Sequence, residues 1–216
     1  MTAMTTTALS SGMVLQWLQN CAETFEKHKD ELTQLDAAIG DADHGANMAR
    51  GFTAVKGKLP FLKDQNIGAI FKSVAVTLIS TVGGASGPLY GTLFLQAVHD
   101  AEGKMALTQS ELATVMAAGV QGLMNRGKAA VGEKTMVDAL VPAIEALKPV
   151  ASDSLAAAID RAVAAARKGA DSTVPLVARK GRASYLGERS AGHLDPGAAS
   201  SVLFLEALQE AIQSSA

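Results

Sequence analysis

The sequence predicts an all-α protein, an antiparallel up-and-down barrel of about eight amphipathic helices with a polar site at one end. Apolar residues make up 48% of the 216 residues and few are aromatic, a composition that favours closely packed helices over sheets. Apolar residues also recur at helical spacing along most of the chain. Four connections rich in Gly, Ser, Asp and Arg separate the helices, and alternate connections of an up-and-down bundle lie at the same end.

The helix limits follow from capping residues and helix breakers. A Ser, Thr, Asp or Asn before an apolar run predicts a helix start, and Gly or Pro after it predicts an end. Thr108 or Ser110 is the predicted cap of one helix, and Asp195 is the predicted cap of the last, with Pro196 in its first turn. The predicted helices cover about residues 9–39 (two helices), Gly45–Gly57, Ile67–Val82, Leu89–Ala101, Glu111–Asn125, Thr135–Leu147, Ser152–Lys168 and Gly197–Ile212.

Length and charge limit the classes of partner. A single domain over residues 1–216 is the simplest arrangement for this length. The formal net charge of −2 provides no basic surface for nucleic acid or an anionic membrane. One cysteine, Cys21, allows no internal disulfide, and no apolar run approaches the length of a membrane span. We therefore expect a cytoplasmic protein that binds neither nucleic acid nor membrane.

The greatest density of reactive side chains lies between Leu35 and Asn47. A continuous helix would separate its carboxylates, because Asp41 stands five residues after Asp36. Gly40 predicts the end of one helix, and Asp43 has the position of an N-cap for the next. A helix end, a tight turn and a helix start can bring the three carboxylates together. The segment contains Asp36, Gly40, Asp41, Asp43, His44, Gly45 and Asn47.

Three converged carboxylates repel one another and therefore indicate a hard cation such as Mg²⁺, Ca²⁺ or Mn²⁺. The pattern is not that of an EF-hand, because Gly45 and Phe52 stand where that loop needs ligands. The free N–H groups at the start of the following helix are suited to a phosphate. Together these features predict a Mg-nucleotide site. The motif alone leaves open that the aspartates only cap helices and form turns.

Three other connections could contact the same ligand. Consecutive glycines and Ser86 in Gly83–Pro88 could present N–H and hydroxyl donors to a phosphate. The connection from Gly127 to Met136 is small, with Gly and Lys, and could touch a nucleotide. For both, an ordinary flexible or solvated connection remains the alternative. Residues 171–197 are long, basic and without periodicity, which is typical of a lid-like loop or of a disordered segment.

Four ordered motifs together resemble the nucleotide-binding L subunits of dihydroxyacetone kinases. They are Gly-Asp-Ala-Asp-His-Gly with Asp36 upstream, Gly-Gly-Ala-Ser-Gly-Pro, Arg-Gly-Lys followed by Gly-Glu-Lys-Thr-Met, and Arg-Lys-Gly-Arg-Ala-Ser-Tyr-Leu-Gly-Glu-Arg-Ser followed by Asp-Pro-Gly-Ala. The resemblance runs from about Gln16 to Ala211. It implies an antiparallel eight-helix barrel with a nucleotide at one mouth.

The resemblance also implies a role for each matching residue. Asp36, Asp41 and Asp43 would act in catalysis by holding two Mg²⁺ ions that bridge the phosphates of ADP or ATP. Gly127 and Met136 would line the adenine side. The residues expected around the phosphates are His44, Gly45, Ala46, Asn47, Ala85 and Ser86, and those expected to close the site are Arg182, Asp195, Pro196 and Gly197.

The family further implies a phosphotransferase that is active only with partner subunits. In the phosphotransferase-system form, ADP stays bound, a phosphohistidine M subunit phosphorylates it, and the phosphate passes to dihydroxyacetone on a K subunit. A free-standing L chain resembles this form, and we also expect a homodimer. An ATP-dependent two-component ketose kinase and a nucleotide-sensing module that binds a transcription regulator remain alternatives. A hydrolase using Ser86 with His44 or His193 is disfavoured, because no Gly-x-Ser-x-Gly elbow is present.

Overall fold

The computed structural model describes residues 7–150 and 154–215. Within them the chain forms nine α-helices, two 3₁₀ segments and one pair of short strands. The strands are β1 (Ala8–Ser10) and β2 (Ala106–Thr108), and the 3₁₀ segments cover Leu59–Phe61 and Arg182–Ser190. The helices are α1 (Ser11–Lys27), α2 (Lys29–Ile39), α3 (His44–Lys56), α4 (Ile67–Thr81), α5 (Ser86–Ala101), α6 (Gln109–Gly127), α7 (Val137–Leu147), α8 (Leu155–Asp171) and α9 (Pro196–Gln213).

The predicted all-helical fold is confirmed, with small differences at helix limits. Helix α5 begins at Ser86, so half of the predicted glycine-rich loop is helical. Helix α7 begins at Val137, two residues later than predicted. The predicted start of α8 at Ser152 lies outside the described residues, within which Ser154 caps the helix by accepting from the N–H of Ala157. No helix in the described parts of the chain is long and apolar enough to cross a membrane.

The two strands are not apparent from the sequence pattern. They pair antiparallel, with Leu9 opposite Leu107 and both side chains fully buried. Each strand ends in a cap for the next helix, since Ser10 accepts from the N–H of Met13 and Thr108 from that of Glu111. Three-residue strands are too short for a period-two pattern to identify them. The pair therefore holds the starts of α1 and α6 side by side.

The helices contact one another in a cyclic order. Helix α1 packs against α3, contacts then run through α4, α5, α6, α7, α8 and α9 in turn, and α9 returns to α1. This order is compatible with the predicted barrel of eight helices. Helix α2 lies outside the cycle, where it packs against α3, α9 and the 3₁₀ segment Arg182–Ser190. Its position leaves its C-terminal end, which bears the acidic motif, beside that segment.

Most of the few aromatic residues lie in the centre of the protein, whereas Phe61 and Tyr185 are exposed. Trp17 lies fully buried with its ring centroid 4.8 Å from that of Phe204 and 5.8 Å from that of Phe94. Its indole N–H donates to the carbonyl of Phe204 at 3.0 Å, which satisfies the only polar atom of the side chain. This close packing fixes the positions of the helix bodies. The polar side chains of the candidate site lie at the helix ends.

Candidate functional site

A cavity of about 380 Å³ opens among the helix ends, a size within the range of small-molecule sites. Its wall combines the end of α2, the starts of α3, α5 and α9, the connection between α6 and α7, and residues 180–183. Gly45, Ala46 and Asn47 lie in the first turn of α3, outside this wall. The other predicted site residues all line it, namely Asp36, Asp41, Asp43, His44, Ala85, Ser86, Gly127, Met136, Arg182, Asp195, Pro196 and Gly197.

The three predicted carboxylates converge in the turn between α2 and α3. One oxygen from each of Asp36, Asp41 and Asp43 lies within 4.8 Å of the others. Gly40 ends α2 as predicted, and Ala42 then adopts a left-handed backbone with φ of 60°. This tight turn returns the chain over the last turn of α2. The predicted helix end, turn and helix start are therefore observed.

The cap of α3 differs from the sequence expectation. Asp43 has the N-cap position, but its side chain makes no capping hydrogen bond. The carboxylate of Asp36 instead accepts from the N–H groups of Asp43 at 2.9 Å and His44 at 3.1 Å. Capping by a residue one helix earlier leaves the Asp43 carboxylate available to a ligand.

These residues fit a hard divalent cation. Their donors are all carboxylate oxygens, the type that Mg²⁺ and Ca²⁺ prefer, and their spacing lies within the reach of one or two ions. The Nε atom of Arg182 lies 2.8 Å from Asp41 Oδ2 and is the cation paired with this cluster in the described residues. One exposed guanidinium against three carboxylates leaves net negative charge. Asp36, Asp41 and Asp43 are the residues that would hold the metal.

His44 and Ser86 link the starts of two helices at the cavity. The Nδ1 atom of His44 lies 3.0 Å from Ser86 Oγ, which joins the first residue of α3 to the first residue of α5. Burial lowers the pKa of His44, against the opposing effect of Asp36, Asp43 and the backbone of Pro196. The ring therefore favours its neutral form. Its buried Nε2 atom makes no standard hydrogen bond within the described residues.

Three helices, α3, α5 and α9, begin at the cavity. Each helix start carries N–H groups without an intrahelical acceptor and the positive end of the helix dipole. At α3 the backbone approach requires a glycine, because a Cβ on Gly45 would lie 2.0 Å from the carbonyl oxygen of Lys29. The convergence of helix starts makes this end of the protein suited to an anion.

The turn between α2 and α3 that carries Asp36, Asp41 and Asp43 is called the acidic turn. Residues 171–197, the 171–197 segment, lie against it. Ala178 and Ala183 are buried with Ile39 at the end of α2, and Leu186 packs against them. The predicted cap Asp195 accepts from the N–H of Ala198 at 2.7 Å. The pKa of Asp195 is raised to about 7, first by burial and also by Asp138 and Asp36, while the Ala198 N–H and Lys134 oppose the shift.

Lys134 is a cavity residue that the sequence analysis did not single out. It stands in the Gly-Glu-Lys-Thr-Met motif, but a lysine in a polar connection normally predicts an exposed side chain. In the structure it is 1% exposed and donates to carbonyl groups of the 171–197 segment. No local pattern distinguishes it from its exposed neighbour Lys128.

Comparison with known proteins identifies the family. A family model described as the DAK2 domain matches residues 38–210. This chain belongs to the DAK2 domain family. Among its DAK2 relatives, the chain is 46% identical over 203 residues to the "PEP-dependent dihydroxyacetone kinase, ADP-binding subunit" of Escherichia coli K12, covering 93% of this chain and 97% of that protein. It is 43% identical over 206 residues to the "PTS-dependent" ADP-binding subunit of Lactococcus lactis, covering 94% and 99%. The family resemblance of the sequence motifs is thus confirmed.

A solved kinase structure contains the same fold. The dihydroxyacetone kinase of C. freundii superimposes with a TM-score of 0.72 at 25% identity, and the alignment covers 97% of this chain and 36% of that one. The present chain therefore spans about a third of that larger kinase. A second structure of the C. freundii enzyme, in complex with AMP-PNP and Mg²⁺, matches equally well, with a TM-score of 0.72.

Proposed function

We propose that this chain is the nucleotide-binding, phosphoryl-donating subunit of a phosphoenolpyruvate-dependent dihydroxyacetone kinase. A phosphohistidine donor subunit phosphorylates the bound ADP in place. The γ-phosphate then passes to dihydroxyacetone on a separate K subunit and gives dihydroxyacetone phosphate. The observation that carries the proposal is the convergence of Asp36, Asp41 and Asp43, within 4.8 Å, beside the starts of α3, α5 and α9.

Phosphoryl transfer depends mainly on positioning and on stabilising charge at the transferred group. Bound Mg²⁺ supplies part of that stabilisation by neutralising phosphate oxygens. Asp36, Asp41 and Asp43 hold the metal, and the N–H groups at the starts of α3 and α5 orient the phosphates. Arg182 adds an exposed positive charge at the rim. This chain supplies no general base, because the base for the sugar hydroxyl lies with the acceptor subunit.

The relatives favour ADP as a resident coenzyme over freely exchanging ATP. The chain covers 97% and 99% of two ADP-binding subunits whose names carry phosphoenolpyruvate or phosphotransferase-system dependence. By contrast, it covers 34% of the L-erythrulose 1-kinase of Mycolicibacterium smegmatis, at 34% identity. A second role in binding a transcription regulator, the homodimer and the number of two Mg²⁺ ions stay predictions.

Mass spectrometry of the gently purified protein tests the coenzyme directly. We expect ADP and magnesium to remain bound through desalting, and we expect reconstitution with K and M subunits to form dihydroxyacetone phosphate from phosphoenolpyruvate. The control is the same mixture with ATP in place of phosphoenolpyruvate, which should not sustain repeated turnover. Turnover driven by exchanging ATP with no need for M would contradict the proposal.

The Ser86 and His44 pair does not support a hydrolase. The two side chains are hydrogen-bonded at 3.0 Å, but the second ring nitrogen of His44 has no carboxylate partner among the described residues. A Ser–His nucleophile needs an acid to orient its imidazole. We therefore expect a fluorophosphonate probe to leave Ser86 unlabelled, whereas labelling would favour acyl transfer.

A further inference from the structure

Lys134 is a buried cation whose hydrogen-bond partners are all backbone carbonyls. The residue lies between α6 and α7 and is 1% exposed. Its Nζ atom donates to the carbonyl oxygens of Thr173 at 2.6 Å and Val174 at 3.3 Å, and also to that of His193. An ammonium group has three donors. These bonds therefore use its full capacity.

The three carbonyls belong to the two ends of the 171–197 segment. Thr173 and Val174 follow α8, whereas His193 precedes α9. Two further bonds join the same ends, from the N–H of Gly192 to the Val174 carbonyl at 2.8 Å and from the N–H of Asp195 to Thr173 Oγ1 at 3.0 Å. Lys134 thus closes the loop of residues 174–192 at its base and fastens it to the α6–α7 connection. The closed loop carries residues 180–183 of the cavity wall.

The backbone around Lys134 is also held by hydrogen bonds. Its φ of 62° is in the left-handed region, which is unfavourable for a residue with a side chain. The carboxylate of Asp138 holds this turn by accepting from the N–H groups of Gly132 and Thr135. Thr135 and Met136 follow directly and line the cavity. Lys134 therefore connects two parts of the cavity wall, and a bond of 3.1 Å from the N–H of Arg179 to the carbonyl of Glu133 reinforces the same connection.

Lys134 is not available as a phosphate ligand. All three of its donors are engaged, and releasing a buried carbonyl without a new partner is unfavourable. Burial lowers the pKa of Lys134, but Asp195 and Asp138 both favour its charged form. These carboxylates and the carbonyls keep the ammonium directed at the segment and away from the ligand space.

We propose that Lys134 is a positioning residue that holds the 171–197 segment closed over the cavity and thereby slows the release of bound nucleotide. The closure is a property of the chain alone. The effect on release rests on the proposed nucleotide-binding function. The two parts are therefore separable by experiment.

A matched pair of variants, Lys134→Met and Lys128→Met, tests the closure. Lys128 lies in the same connection and has a left-handed backbone with φ of 48°, but it is exposed. Both variants replace lysine by an apolar side chain of similar length in a similar backbone. We expect amide hydrogen exchange of residues 174–192 to be roughly tenfold faster or more in Lys134→Met, with the helix bodies unchanged, and to be unchanged in Lys128→Met. Unchanged exchange in this loop, or equal acceleration in all helices, would overturn the proposal.

The second measurement is the dissociation rate of Mg-ADP from the same three proteins. We expect release to be about tenfold faster in Lys134→Met than in the unchanged protein or Lys128→Met. Faster loop exchange with unchanged release would overturn the positioning role. If the unchanged protein does not retain Mg-ADP, the proposed function fails, whereas the exchange experiment still decides whether Lys134 closes the loop.

Nuclear magnetic resonance tests the contact without any substitution, in case Lys134→Met does not fold. With ¹⁵N-labelled lysine, exposed ammonium protons exchange too fast with water to be observed at neutral pH, whereas a buried and fully bonded ammonium exchanges slowly. We expect one persistent ammonium signal, with proton contacts to Thr173 and His193. The absence of such a signal would overturn the proposal.

Discussion

Two charged clusters in the wall of one cavity differ in how completely the protein satisfies them. In the acidic turn, Asp36, Asp41 and Asp43 lie within 4.8 Å of one another, and the cation paired with them in the described residues is the exposed Arg182. By contrast, the single buried ammonium group of Lys134 has three carbonyl partners, those of Thr173, Val174 and His193. This set of bonds is called the Lys134 tie. Buried polar groups are normally hydrogen-bonded, so the full set of partners around Lys134 indicates a structural role. Three converged carboxylates repel one another unless a cation lies among them, so the acidic turn indicates a ligand position.

This difference predicts opposite responses to substitution. Removing the carboxylate of Asp43, which caps no helix, should weaken ligand binding and leave the free protein as stable as before. Substitution or titration of the buried polar groups around Lys134, such as Asp195, should alter the free energy of unfolding even without ligand.

The largest effect on ligand binding is expected for Asp43→Asn. Asn keeps the size of the side chain but lacks the charge that a divalent ion requires, so we expect the affinity for Mg-ADP to fall by roughly a hundredfold or more. The free energy of unfolding without ligand should be unchanged or raised, because one of three repelling charges is removed. Isothermal titration with Mg-ADP and urea unfolding measure the two quantities.

The control for this variant is Asp64→Asn, which removes an exposed carboxylate outside the cavity. It should bind Mg-ADP like the unchanged protein. If Asp43→Asn retained full affinity, the acidic turn would have to be assigned to capping and turn formation, and the contrast between the two clusters would be lost.

The buried acid beside the tie should make stability depend on pH. The pKa of Asp195 rises to about 7 in the folded protein, from an ordinary value of 3.8. The folded state then binds the proton more tightly, so the stability due to this group is fully present below about pH 4 and is lost as the pH rises to about 7. The shift corresponds to up to about 4 kcal/mol. Asp195→Asn keeps the capping acceptor and should remove this component.

Urea unfolding without nucleotide or magnesium, from about pH 4 to about pH 8, measures this component. The unchanged protein should lose stability relative to Asp195→Asn as the pH rises. Parallel stability curves for the two proteins would mean that Asp195 titrates normally in the folded state, and the buried polar region would then be more accessible to water than the structure indicates.

The sequence predicted the acidic turn well because its information is local. The two capping positions, Gly40 and Asp43, and the three carboxylates all lie between residues 36 and 43, and the geometry of one turn decides whether the carboxylates converge. Helix periodicity likewise predicted the helix bodies, since each depends on neighbours three or four residues away. The side-chain cap was the exception, because Asp36 reaches the next helix.

The Lys134 tie could not be predicted in this way, because its partners are distant in sequence. They lie 39, 40 and 59 residues away, and the residue itself differs in no local respect from Lys128. The strand pair was missed for the same reason, since Leu9 and Leu107 become neighbours only in the folded chain. Four motifs predicted the lining of the cavity, but the way its parts are held together depends on long-range packing.

A smaller effect is expected from Gly45→Ala at the start of α3. The added methyl would lie 2.0 Å from the carbonyl oxygen of Lys29, a backbone atom that cannot move away easily. We expect a loss of about 2 to 3 kcal/mol of stability, together with weaker Mg-ADP binding because the helix start shifts. The matched control is Gly12→Ala, where the nearest atom is 3.8 Å away. A Gly45→Ala protein as stable as the control would show that α3 does not need this close approach.

The smallest change in stability is expected where the two regions meet, at the ion pair of Arg182 and Asp41. The arginine side chain is 66% exposed and the distance is 2.8 Å, and exposed pairs of this kind contribute less than about 1 kcal/mol. Arg182→Gln should therefore unfold at nearly the same urea concentration as the unchanged protein, like the control Arg167→Gln, which removes the exposed pair with Glu206. If Arg182 instead serves the phosphates, its loss alone should weaken Mg-ADP binding by about tenfold, because a charge-assisted hydrogen bond is removed. Equal binding by both variants would confine Arg182 to a surface ion pair. The acidic turn would then bind the metal, and Arg182 would not serve the phosphates.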